Sequence, residues 1–321
     1  MLLPETHSLL QTLATPRPTL TPEDLITITT EEFIQTYKFT KENSSSSPSG
    51  RHIGHFKAVL QDTSLVFIHM LMMSLPFCHG FVPNRWTRIT DFMLQKEEGN
   101  ARSHRLHIIA LFESDLNQAK QILLGRKLSH HLEDENLLTS MQYGSQPGQQ
   151  YQSAVLLFSH NIAHLSKHTS TYMENDAIGC YDRIVNNLVL ILLHCLGFVI
   201  SICSCLGALW VNTTHFIKML YGTSSVTYSN SVSQPLFSPG QGSTTGPTFW
   251  PIVFFAIVES LDQYIANTIY QSICQRISVT YTGIAFVDDS SLGILSKYEW
   301  NHEFSPAANQ SNKITLGKAS I

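Results

Sequence analysis

Charge is what this 321-residue chain has least of. Asp, Glu, Lys and Arg together make up 14% of it, where about 25% is usual for a globular protein. So thin a supply excludes a solvated disordered chain, a long coiled coil, and a polybasic protein held to nucleic acid by bulk attraction. The 20 Lys and Arg against 24 Asp and Glu leave a formal charge of −4, so any nucleic-acid contact must come from local basic patches. Six cysteines include no C-x-x-C pair and are scattered through apolar stretches. That excludes a disulfide frame or a cysteine-built zinc site and is the pattern of reduced thiols in an intracellular protein. The N-terminus, MLLPETHSLLQTL, lacks the basic start of a signal peptide and carries Pro4 and Glu5. No internal repeat is visible.

What is present is apolar sequence, 43% of the chain, enough for a sizeable core. An apolar run without formal charge, Leu188 to Val211, meets the length rule for a membrane span. Gly197 and Gly207 divide it, and His194, Ser201 and Ser204 dilute it. Hydropathy alone leaves a span and a pair of buried helices as alternatives.

Along the chain, TPEDLITITTEEFIQTYKF reads as helix, with Thr21 and Asp24 as its capping pair. A Ser-rich hinge at 44–50 precedes a strongly apolar helical run to about Met73, which Pro76 is expected to break. RWTRITDFMLQKEEG and HRLHIIALF read as a strand pair, Asp115–Leu138 and Tyr151–Lys167 as helices, and MLYGTSSVTYSN as a hairpin. A helix is predicted over TFWPIVFFAIVESLDQYIANTIYQSI, then a final hairpin around FVDD. Helices on one face of a small antiparallel sheet make this an α+β chain.

Three acids could carry chemistry. Asp176 follows a strand, and Asp288 and Asp289 sit at a hairpin tip. Taken singly each has an ordinary explanation, Asp176 as a helix N-cap and Asp288-Asp289 as a turn. Together, three carboxylates on neighbouring strands would suit two hard cations clamping an in-line phosphoryl displacement. Trp86 beside Arg85 and Arg88 reads first as a core aromatic, with stacking on a template strand as the alternative. His52 and His55, His104 and His107, and His130-His131 lack the Glu or Cys that would complete a zinc shell. Cys203 and Cys205 read as buried small hydrophobes.

The order of three segments resembles reverse transcriptases. ENDAIGCYDRI at 174–184 resembles motif A, PGQGSTTGPTFW at 239–250 motif B, and FVDDSSL at 286–292 motif C. Upstream, SGRHIGHFKAVL and QKEEGNARSHRLHIIALFESDLNQAKQILLGRKL resemble the fingers of retroelement polymerases with a GCYDRI-type motif A. The resemblance implies a right-hand polymerase: an N-terminal extension and hinge at 1–48, fingers at 49–150, a palm with a small antiparallel sheet packed on helices at 151–296, a divergent tail at 297–321, and no thumb. It implies an RNA-directed DNA polymerase adding deoxynucleotides to a primer 3′-hydroxyl on an RNA or DNA template, with two Mg²⁺ ions or Mn²⁺ in their place. Asp176, Asp288 and Asp289 would hold the metals, joined by the Ala177 carbonyl. Tyr181 would lie under the incoming sugar and exclude a 2′-hydroxyl, Gln241 and Gly242 would pack beside the nucleotide, and Lys96 and Arg105 would meet the triphosphate. It also turns the apolar run into helices under the palm sheet rather than a membrane segment.

The match departs in three places. Gly246-Pro247 stands where motif B has a serine before its proline, Phe286 replaces the commoner tyrosine of motif C, and only Lys313 or Lys318 in the tail could serve as a motif D lysine. The second reading is therefore a catalytically inactive relative that keeps the fold and at most binds nucleic acid weakly. A membrane-anchored protein is the third.

Overall fold

The computed structural model describes residues 25–43, 47–97, 99–100, 102, 106–138, 141–145, 149–166, 170–176, 180–219, 221–262, 268–271, 278–281, 283–286 and 289–295. Helices and separate small sheets make it α+β, and the chain divides into two compact units.

One unit comprises the described residues up to His130 together with Ile184–Gly246. Its first helix, α1 (Thr30–Phe39), starts later than predicted, and residues 27–29 ahead of it are not helical. The β-branched run Ile26-Thr27-Ile28-Thr29 disfavours helix. A better capping box then follows: the Thr29 hydroxyl accepts from the Glu32 amide at 3.2 Å, while Glu32 Oε2 accepts from the Thr29 amide at 2.8 Å. Next come α2 (Ile53–Val59) and α3 (Thr63–His79). Pro76 does not break α3: the helix runs on to His79, and Gly80, at φ +70°, closes it with its amide donating to the Pro76 carbonyl. Phe33, Tyr37, Phe56, Met73, Phe77 and Trp86 form the aromatic core here, with Tyr37 stacked on Phe56 at 4.8 Å between ring centres. Burial raises the Tyr37 hydroxyl pKa, and that hydroxyl donates to Met73 Sδ.

Strands β1 (Arg88–Gln95) and β2 (Leu106–Leu111) pair antiparallel as predicted. The predicted helix after them is α4 (Ser114–Lys120), which continues through a π-helical stretch, Gln121–Lys127, into α5 (Leu128–Asp134). Wide turns of this kind bulge a helix and redirect its side chains. Arg126 there donates to Thr36 Oγ1, and Lys127 pairs with Glu32, tying the stretch to α1.

The uncharged run forms α7 (Asn186–Cys195) and α8 (Ile200–Asn212), separated by a turn with Gly197 at φ +86°. Among the described residues no helix is long and apolar enough to cross a membrane. β4 (Thr214–Met219) and β5 (Gly222–Ser229) form the predicted hairpin. β4 also lies parallel to β1, giving a four-stranded sheet in the order β2-β1-β4-β5.

The other unit comprises the described residues of His131–Arg183 and those from Pro247 onward. It contains α6 (Tyr151–Leu165), β3 (Ser170–Asp176), a 3₁₀ turn at Cys180–Arg183, and α9 (Gly246–Asp262), whose first residue belongs to the preceding unit. Pro247, at the first turn of α9, has no N–H to leave unpaired there. The helix predicted to run on to 273 ends at Asp262, and Thr268–Gln271 is instead strand β6, paired antiparallel with β7 (Ser278–Tyr281). Tyr270, Ile269 and Thr268 are β-branched or aromatic residues that suit a strand better than a helix. β8 (Gly283–Phe286) and β9 (Asp289–Leu295) close the last hairpin, and β3 adds to its far side in the order β3-β9-β8. Ile284 of β8 packs against Ala154, Leu157 and Phe158 of α6, so the small sheet is backed by that helix. Residues 141–143 run along β8, with the Tyr143 amide donating to the Ala285 carbonyl at 2.8 Å and the Ala285 amide to the Met141 carbonyl at 2.8 Å.

Candidate functional site

The three-stranded sheet brings two of the predicted acids together in register. β3 and β9 pair antiparallel from Ser170↔Leu295 to Asp176↔Asp289, so these aspartates occupy directly opposed positions at one end of the ladder. On the other side of β9, Phe286 pairs with Asp289, which leaves only residues 287 and 288 between the two strands of the hairpin. Asp288 and Ala177 lie outside the described residues, as do the side chains of Asp176 and Asp289. Phe286 is partly exposed and meets the Tyr151 ring edge-on, 5.5 Å between centres. Tyr181 is half-buried in the 3₁₀ turn that follows β3, beside the buried Cys180.

Gln241 and Gly242 belong to the other unit, where the glycine-rich segment runs along the free edge of β2. The Ala110 amide donates to the Gln241 carbonyl at 2.7 Å. Gly240 and Gly242, at φ +88° and +102°, adopt the left-handed backbone that side chains resist. A Cβ on Gly242 would stand 2.6 Å from the Ala110 carbonyl oxygen, and one on Gly240 would stand 2.8 Å from the Phe112 ring. The close approach these glycines permit is therefore to the protein's own edge strand.

Three side chains hold the segment that sequence reasoning passed over. Asn117 of α4 donates to the Gly242 carbonyl at 3.1 Å and accepts from the Thr244 amide at 3.2 Å. Lys120, fully buried, donates to Ser243 Oγ at 2.7 Å and lies 4.0 Å from the centre of the Phe112 ring. Burial lowers its ammonium pKa from 10.5 to about 7. Ser243 in turn shares its hydroxyl with Thr245 at 2.8 Å.

Lys96 is exposed just past the end of β1. The position facing Ala110 is Asp91, near the middle of that strand, so Lys96 is not beside the Gln241 contact. Arg105 lies outside the described residues.

Trp86 is a core aromatic: it is buried, and its indole N–H donates to Asp115 Oδ1 at 3.2 Å. Arg85 bridges Asp115 and Glu113, both buried, while Ser49 donates to Glu113 through amide and hydroxyl, each at 2.8 Å. His52 and His55 cap α2 reciprocally, with His52 Nδ1 accepting from the Gly54 amide and His55 Nδ1 from the His52 amide. Burial pushes the Cys203 thiol up to about 11 and that of Cys205 to about 12. A further buried cluster crosses three strands. Asp91 of β1 pairs with His215 Nδ1 of β4 at 2.8 Å and accepts from the Tyr228 hydroxyl of β5, and the two rings stack 4.7 Å apart. Burial and the Asp91 carboxylate raise the Tyr228 pKa. Alternation in the strands marks such positions only as inward-facing, which is why pattern reading did not single them out.

Among the described residues no three His, Cys, Asp or Glu side chains are grouped to hold a metal. No family model matches this sequence, and no curated protein matches it.

Proposed function

We propose that the chain is the fingers and palm of an RNA-directed DNA polymerase. The observation that carries this reading is the pairing of Asp176 with Asp289, far apart in sequence and directly opposed on adjacent strands. Opposed positions on an antiparallel pair share a sheet face, with Cβ atoms roughly 4.5–5.5 Å apart. That spacing suits two carboxylates sharing a cation. Position 288 adjoins Asp289 in the sequence, so this reading counts its carboxylate with the other two. A donor set made only of carboxylate and carbonyl oxygens fits Mg²⁺, and also Mn²⁺, but not a soft metal.

In this reading Asp176, Asp288 and Asp289, with the Ala177 carbonyl, hold two Mg²⁺ ions. When bound, these would polarise the 3′-hydroxyl and neutralise charge developing on the phosphates. The protein's own part is placement. Tyr181 presents a ring that leaves no room for a 2′-hydroxyl. The resemblance gives Gln241, Gly242, Lys96 and Arg105 to the nucleotide as well, but the Gln241 and Gly242 carbonyls are taken by the Ala110 amide and the Asn117 side chain. The three-stranded sheet that carries the opposed aspartates is packed on α6 and hydrogen-bonded to residues 141–143.

Primer extension on poly(rA)·oligo(dT) with Mg²⁺ tests it, comparing the chain with Asp176→Asn and Asp289→Asn. Each substitution keeps the size of the side chain and removes the charge. Incorporation is expected to fall at least about a hundredfold in either variant. Equal incorporation by all three would dismiss the polymerase reading and leave a fold without the chemistry.

A further inference from the structure

The four-stranded sheet has two unlike faces. On the inner face Ile89 and Asp91 are buried, and Asp91 is engaged by His215 and Tyr228. Alternation puts Arg88, Thr90 and Phe92 of β1 on the outer face. There, aromatic rings and cations interleave across strands: Arg88 sits 4.2 Å from the centre of the Phe216 ring, and Lys218 sits 5.0 Å from that of Phe92. The register agrees, since Phe92 is paired with Lys218 and Thr90 with Phe216. Arg88 and Lys218 are exposed, and the exposed Thr227, opposite Phe216 on β5, adds a hydroxyl. Every residue of β1, β2, β4 and β5 is described, and Asp91, on the other face, is the single carboxylate among them. The outer face is therefore positive, with two ring platforms set into it.

From this charge and geometry we infer that the outer face binds single-stranded nucleic acid, bases stacking on Phe92 and Phe216 while Arg88 and Lys218 take the flanking phosphates. Unpaired bases present flat faces to aromatic rings and guanidinium planes, and a phosphate backbone supplies the anion that the face lacks. A duplex keeps its bases stacked on one another and can use only the charges. An acidic peptide would satisfy the cations and leave the rings unused. The cation over each ring is a weak, exposed partner, readily exchanged for a base. The inference goes beyond polymerase chemistry and needs neither metal nor nucleotide.

The test is fluorescence anisotropy of the full chain with labelled oligouridine in EDTA, with oligo(dT), a duplex of equal length and heparin as separate arms. Working without metal or nucleotide keeps the result independent of primer extension, which can fail while this binding stands. Oligouridine and oligo(dT) are expected to bind more tightly than the duplex, and the pair Phe92→Leu and Phe216→Leu together to weaken binding about tenfold or more. The pair Arg88→Gln and Lys218→Gln should reduce the salt slope by about two. Oligouridine binding unchanged by the leucines, or duplex or heparin bound as tightly as single strands, overturns the inference. Should the leucine variant fail to fold by circular dichroism, an unchanged salt slope in the glutamine variant overturns it instead.

Discussion

Replacing Lys120 with methionine should make the protein more stable at neutral pH and flatten part of its pH dependence. The amine is fully buried on the Phe112 ring, with Ser243 Oγ as its partner. Its pKa falls from 10.5 to about 7 on folding. Between these values the unfolded chain holds a proton that the folded chain gives up, so folding grows more favourable as pH rises through the window. The charge penalty works out at about 4 kcal/mol at pH 7 and about 2 kcal/mol at pH 9, each lost unit of pKa costing about 1.4 kcal/mol. Methionine fills similar volume without a charge. It forfeits the hydrogen bond to Ser243, worth about 1 kcal/mol, although Ser243 keeps Thr245. Urea unfolding at pH 6.5, 7, 8 and 9, for wild type and Lys120→Met in parallel, reads the effect. The variant's advantage should be largest at the acidic end and shrink by about 2 kcal/mol toward pH 9. The difference cancels titrations common to both proteins, and stopping at pH 9 avoids the buried Cys203 and Cys205 thiols, which favour unfolding in alkali. A stability difference independent of pH would refute the premise that Lys120 is forced to shed its proton.

Two other substitutions follow from the same structure. Gly242→Ala sets a Cβ against the Ala110 carbonyl in left-handed backbone, and urea unfolding should show a loss of about 2 kcal/mol or more. A loss within a few tenths would mean the segment does not lie on β2 as described. Arg85→Met leaves Glu113 and Asp115 buried without their cation, which should cost about 3 kcal/mol or more. Urea unfolding at pH 7 reads the deficit, and a loss below about 1 kcal/mol would contradict the assignment.

Hairpins and the paired apolar helices were legible because each is written in local pattern. β1–β2 and β4–β5 announce themselves by alternation around polar turns, and Gly197 marks the turn of the uncharged run. Boundaries went astray where two local signals competed. Thr21 and Asp24 lie outside the described residues, while the helix that follows is capped by Thr29 and Glu32 after a β-branched run. Pro76 reads as a break, yet the helix ends only at Gly80, whose left-handed backbone closes it. The helix predicted to run through Tyr270 ends at Asp262 because aliphatic content continues across the boundary while backbone preference changes. The opposition of Asp176 and Asp289 was an expectation from motif order alone, since register between distant strands has no local signature. Lys120 shows the limit most plainly. Nothing in NQAKQIL distinguishes a solvated lysine from one sealed beneath a segment 123 residues downstream, and only the closing of that segment over Phe112 makes it unusual.

The contact between the Gln241 carbonyl and the Ala110 amide also acts as a guard. β2 is the outermost strand of its sheet, and an outermost strand left bare invites pairing with another chain. If the glycine-rich turn lifts, that amide becomes a free template for a foreign strand. Substitutions that loosen the turn should therefore show as aggregation through this edge before they register as global unfolding.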